Sequence, residues 1–130
     1  MLQQYERLTE DEKLYLKNHP HHVVAIARSK DIAYEETKVR FGCNRCNDKS
    51  DAFRHCFWSA ILARDIGYKN ALEFTSAHES SEDNDASEKN MDLHNNLVGL
   101  RIGLSRAGDE KLSHYCRTAL LVGRLKVLRE

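Results

Sequence analysis

Apolar residues recur along this chain at helical rather than strand spacing. Phe53, Cys56, Phe57, Ala60 and Ile61 fall three and four apart, as do Leu93, Leu97, Leu100 and Leu104. On an α-helix such positions share one side, so each segment predicts a helix with an oily stripe to bury. No stretch alternates with period two, and one proline with six glycines leaves few breaks. The pattern predicts an all-α fold, a single compact helical bundle of about five to seven helices over residues 1–130.

End signals divide the chain further. Thr9 and Glu12 form a capping box for a helix reaching about Asn18, and Pro20 opens another at its first turn. A core side of Val23, Ile26 and Ala27 continues through Ile32, Ala33, Thr37 and Phe41 to a stop at Gly42. The next helix is expected from Asp51 to Ile66, with Ser50 as cap and Gly67 as terminator. Asn70 and Glu73 suggest a cap for a helix from Ala71 to about Ser80, and Glu82 to Ser87 read as an exposed acidic loop. A helix from about Glu88 to Leu104 follows. The last, from about Glu110 to Leu128, is apolar nearly all round its middle, which places it at the centre of the bundle.

Composition adds little. The chain is 41% apolar and 31% charged with a formal net charge of zero, so no global field steers it to nucleic acid or anionic membrane. Locally the balance is uneven: the stretch from Glu73 to Asp92 is acidic and the C-terminal part basic, so the two segments are expected to attract each other, with a phosphate-facing basic surface as the weaker reading. No apolar run approaches the roughly 18 to 20 residues that span a bilayer, and the first residues lack the apolar core of a signal peptide. A cytoplasmic location, or export without a cleaved signal, is the expectation.

The chemistry lies on the polar positions of the same two segments. Asp51, Arg54, His55 and Trp58 fall at i, i+3, i+4 and i+7, and Asp92, Asn95, Asn96 and Gly99 repeat that spacing. Between them stands His78-Glu79. A carboxylate one turn from a histidine fixes its tautomer and raises its basicity, as a general base or metal ligand requires. The same pair is also an ordinary ion pair at a helix start. Asn disfavours helix interiors, and a mid-helix Gly costs about 1 kcal/mol relative to Ala. The Asn95-Asn96 and Gly99 helix therefore carries a local penalty, offset either by a ligand site or by a buried network at a tight helix crossing.

Cys43-x-x-Cys46 has zinc or redox spacing, but no second such pair exists, and Cys56 and Cys116 already fit apolar stripes. His19, His21 and His22 read as a helix start able to bind metal opportunistically. No HExxH, P-loop, GxGxxG or GxSxG motif is present, which removes support for metalloprotease, nucleotide triphosphatase, dinucleotide-enzyme and α/β-hydrolase readings.

Asp51-Ala52-Phe53-Arg54-His55-x-x-Trp58, Ala77-His78-Glu79 and Met91-Asp92-Leu93-His94-Asn95-Asn96-x-x-Gly99 together resemble the signature of an uncharacterised bacterial helical domain. That domain occurs alone and at the C-terminal ends of Rhs-type and other polymorphic secreted proteins, where toxic effector activities usually sit. The likeness covers about Asp51 to Gly103, and the His19-Pro20 helix more loosely. Its members commonly differ at Cys43, Cys46, Cys56 and His94. The resemblance therefore implies Asp51, Arg54, His55, Trp58, His78, Glu79, Asp92, Asn95 and Asn96 as shared site residues, and an inhibitor or immunity protein as partner.

Three helices offering these groups to one polar pocket suit a hydrolase of phosphate esters, whether nucleotide, nucleic acid or phospholipid. In that reading His55 or His78 is general base or metal ligand, Asp51 orients His55, and Glu79 and Asp92 serve as acid–base groups or metal ligands. Arg54 neutralises an anionic substrate, while Trp58, Asn95 and Asn96 bind it. His78, Glu79 and Asp92 hold one divalent metal, Zn, Mn or Mg. The alternative is a non-catalytic interaction or toxin module whose polar helices form a structural hydrogen-bond network, with Arg54 paired to Glu79 or Asp92.

Overall fold

Six helices and one 3-10 turn account for the described residues of this computed structural model, 7–44, 47–80 and 85–128. They are α1 (Glu10–Asn18), the 3-10 turn (Pro20–His22), α2 (Val23–Phe41), α3 (Asp48–Ile66), α4 (Tyr68–His78), α5 (Ala86–Gly103) and α6 (Asp109–Leu121). The fold is all-α, as the helical spacing implies, and no strand occurs among these residues.

The expected ends hold at α1 and α2. Thr9 and Glu12 close a reciprocal capping box, and Gly42 ends α2 in the left-handed conformation at φ +79°. Three other ends differ. The start of α3 lies three residues before Asp51, because Asn47 caps it and Ser50 supplies the returning half of the box. The start of α4 follows directly on Gly67, and Asn70 donates to the Ile66 carbonyl instead of capping. Asp85 caps α5, which starts at Ala86 instead of about Glu88; of the expected acidic loop, residues 82–84 lie outside the described set.

The centre of the bundle is α3, which packs on α2, α4, α5 and α6. Its expected stripe of Phe53, Cys56, Phe57, Ala60 and Ile61 is buried, and so are Trp58, Ser59, Leu62 and Ala63 on its other sides. This corrects the placement of the last helix at the centre. In α6 Tyr115 and Leu121 are exposed, and the helix stops at Leu121 instead of running on to Leu128. Gly123 takes φ +81°, and the Arg124 amide donates back to the Ala119 carbonyl, a left-handed stop that turns the chain. The segment beyond returns along α5. Asn95 brackets Lys126, donating to its carbonyl at 3.0 Å and accepting its amide at 2.7 Å, while the His94 ring meets the Arg124 carbonyl at 2.9 Å.

The α3–α5 contact is the most extensive in the molecule and is closer than side chains normally allow. A Cβ built on Gly99 would land on the Cys56 carbonyl oxygen, and one on Gly103 would meet the Ala60 carbonyl. The inward side of α5 therefore coincides only in part with its leucine stripe, of which Leu100 is fully buried. Leu97 and Leu104 are exposed, whereas Met91, Asn95, Asn96, Gly99 and Gly103 are buried. Backbone carbonyls of α3 replace side chains as the opposing surface, and the small and amide residues of α5 are what fit against them.

Candidate metal and acid–base site

Close approach of α3 and α5 brings His55 against two carboxylates from different elements. Its Nδ1 lies 3.6 Å from Oε2 of Glu79, just past the end of α4, and its Nε2 lies 3.4 Å from Oδ1 of Asp92 on α5. Both distances exceed a good hydrogen bond. One ligand atom from each of His55, Glu79 and Asp92 can be chosen so that all lie within 4.8 Å of one another. Among the described residues no other group of histidine, cysteine and carboxylate side chains meets in this way.

Glu79 is fixed by a buried relay: Ser59 donates to the Asn96 amide oxygen at 3.0 Å, and the Asn96 amide nitrogen donates to Glu79 Oε2 at 3.0 Å. Burial raises the Glu79 pKa, opposed in part by His78 and the Asn96 hydrogen bond. Burial, with the Glu79 and Asp51 carboxylates nearby, pushes Asp92 up to about 7. The leading cause is common to both, a buried setting that penalises the charged form; at Asp92 the neighbouring carboxylates add to it.

On α3, the Arg54 guanidinium reaches Asp51 at 3.3 Å and lies 4.8 Å over the Tyr34 ring. Its close ion pair is thus with Asp51, one turn back; the Glu79 and Asp92 carboxylates feel the same guanidinium charge from farther away. Two donors on this side are buried with no hydrogen-bond acceptor among the described residues, Arg54 Nε and Trp58 Nε1. The Trp58 ring stands 6.5 Å from His55 and 5.0 Å from His78.

The structure regroups the residues expected at the metal. His78 belongs to a different pair, with its Nδ1 3.0 Å from Oε2 of Glu12. His55 stands in its place beside Glu79 and Asp92. Asn95, expected on substrate, is committed to the Lys126 backbone, and only Asn96 of the two amides reaches the cluster. Glu12 is the residue that sequence reasoning missed. It reads as half of a capping box, and nothing in its spacing reveals that a helix end 66 positions away places a histidine on its second oxygen. Burial opposes ionisation of Glu12, but the His78 hydrogen bond and charge and the Thr9 amide prevail, and its pKa is lowered overall.

The polar residues meet as a packed cluster with an edge on solvent, formed by Asp92 and by His78, whose side chain is 34% exposed. A cleft of about 650 Å³ opens elsewhere, between α2 and the start of α6. The other metal candidates do not converge. His19 and His22 stack on Tyr15 and on each other, with Tyr15 to His19 at 4.2 Å. Cys43 is disulfide-bonded, Cys46 lies outside the described residues, and Cys56 and Cys116 are free thiols in the core.

The profile of a family described as a domain of unknown function (DUF6973) matches residues 13–122, and the chain belongs to that family. No curated protein and no solved structure is detectably similar to it. No helix among the described residues is long and apolar enough to cross a membrane.

Proposed function

We propose that the domain is a hydrolase of phosphate esters (nucleotide, nucleic acid or phospholipid) that works with one divalent cation held by His55, Glu79 and Asp92. The observation that carries this reading is the meeting of those three side chains. Around an ion with bonds of roughly 2.1 Å, ligand atoms stand roughly 3 to 4 Å apart, so atoms within 4.8 Å need to draw in only slightly. A mixed imidazole and carboxylate set suits Zn²⁺ or Mn²⁺ first and Mg²⁺ less well. Burial and the nearby Glu79 and Asp51 carboxylates make negative charge on Asp92 costly, and a cation would neutralise that charge.

The buried donors of Arg54 and Trp58 support an anionic ligand, since donors left without acceptors in a protein interior cost roughly 1 to 3 kcal/mol each. In the proposed reaction a water attacks phosphorus, its proton passes to a carboxylate or imidazole of the cluster, and the ester P–O bond breaks. The cation and Arg54 would draw charge from the phosphoryl oxygens, and the leaving oxygen would take up the proton that the cluster received from the water. An effector role with an inhibitor partner rests on the resemblance of the three sequence blocks.

Calorimetry and metal analysis should find one Mn²⁺ or Zn²⁺ per chain, lost in His55→Ala and Asp92→Ala variants that still fold. Hydrolysis of bis(p-nitrophenyl) phosphate should disappear with it. For the effector role, expression should arrest a bacterial host and His55→Ala should relieve the arrest. A wild-type protein that binds none of the three cations stoichiometrically removes this function.

One observation favours the structural alternative. The Ser59–Asn96–Glu79 relay is fully buried, as a network that only holds helices together would be. In that case His55→Ala, Glu79→Ala and Asn96→Ala each lower stability strongly and none alters cation binding. A functional cluster behaves differently: removing one of its crowded carboxylates leaves stability intact or raises it.

A further inference from the structure

Glu12 is a carboxylate only 1% exposed, on a short helix at the edge of the bundle. A capping box does not require that burial, because its glutamate ordinarily reaches back from the surface. Here one oxygen completes the box, accepting the Thr9 amide at 2.9 Å, and the other meets Nδ1 of His78 at 3.0 Å. Docking α1 does not by itself explain the second contact. Thr9 Oγ1 already donates to the Ala77 carbonyl at 2.8 Å, and Tyr15 packs edge-on to Phe74 at 5.3 Å.

We propose that Glu12 is a positioning residue for His78: its carboxylate holds the imidazole proton on Nδ1 and leaves Nε2 as the lone-pair nitrogen of a ring at the solvent edge of the metal and acid–base cluster. An ionised carboxylate only accepts hydrogen bonds, so the nitrogen facing it must be the donor. Free imidazole shows no such fixed choice; a partner on one nitrogen decides the role of the other. Nε2 of His78 has no hydrogen-bond partner among the described residues. Its ring stands 6.3 Å from that of His55 and 5.0 Å from Trp58, at the solvent edge of the cluster. There it is placed to accept a proton from the attacking water, a use that rests on the hydrolase reading above. Glu12 then belongs to the site although it lies 67 positions before Glu79 in the chain.

The experiment is ¹⁵N correlation spectroscopy of the histidine rings in the whole protein without added metal, above the imidazole titration range. Wild type should show His78 with its proton on Nδ1. Glu12→Gln keeps the shape and the cap and should move most of the population to Nε2–H. An Nε2–H form in the wild type overturns the proposal, and that spectrum decides it even if Glu12→Gln does not fold. An unchanged His78 spectrum in a folded Glu12→Gln variant overturns it as well. On the same samples, Glu12→Gln should lower bis(p-nitrophenyl) phosphate turnover about 10- to 100-fold with Mn²⁺ affinity unchanged. Failure of the wild type to bind any of Mn²⁺, Zn²⁺ and Mg²⁺ removes the hydrolase reading and leaves the ring spectra to decide the role of Glu12.

Discussion

Burial and the neighbouring Glu79 and Asp51 carboxylates hold a proton on Asp92 up to about pH 7, where a free aspartate has lost it. The folded state therefore binds that proton more tightly than the unfolded chain, whose reference value is 3.8. The sign follows from linkage: the contribution to stability is complete below the unfolded value and is lost as pH rises through about 7. Glu79, also raised, acts in the same direction. The metal-free protein should thus melt at lower temperature at pH 8 than at pH 5, each kcal/mol lost lowering Tm by roughly 4 °C for a chain of this size. Scanning calorimetry checks this. Asp92→Asn should flatten the dependence, and saturating Mn²⁺ should raise Tm most at pH 8; a Tm independent of pH between 5 and 8 is incompatible with the crowding of these carboxylates.

The α3–α5 pair shows how one element sets another's exposed side. An alanine in place of a mid-helix glycine ordinarily gains about 1 kcal/mol. At Gly99 the sign should reverse, because the new methyl would meet the Cys56 carbonyl oxygen, which is backbone and cannot swing away. Gly99→Ala should cost on the order of 3 kcal/mol in denaturant unfolding. By spreading the helices it should also weaken cation binding, since His55 and Asp92 sit on opposite sides of this contact. The leucine periodicity of α5 matches the inward side at Leu100 but not at Leu97 and Leu104, for the same reason. A hydrophobic pattern assumes an opposing surface of side chains, and here the opposing surface is carbonyl oxygen, which selects glycine and amides.

Across the whole molecule, two remote pieces of chain close onto the bundle through polar side chains. Glu12 and Thr9 tie α1 to the end of α4, and Asn95 ties the segment after α6 to α5. The second tie stands apart from the metal and acid–base cluster. Asn95→Ala should release residues 122–128, seen as faster amide exchange at Lys126 and new proteolytic cleavage there, at a local cost of about 1 to 3 kcal/mol. Cation binding should be unaffected, whereas Asn96→Ala should impair it; equal effects of the two on binding would contradict the separate placement of the neighbouring amides.

Most of the helices and several of their ends were legible in the residues themselves. Caps such as Thr9–Glu12 and stops such as Gly42 act within one turn, and local spacing carries that information. The inward polar side of α3 was legible for a related reason, since Asp51, Arg54, His55 and Trp58 share one side of any helix whatever it packs against. Which side chains meet across helices depends on crossing distance and on what lies opposite. That put α3 and not α6 at the centre, placed His55 rather than His78 between Glu79 and Asp92, and turned a capping glutamate toward a histidine. Local hydrogen bonding specified the elements; only packing of separated segments specified the partners.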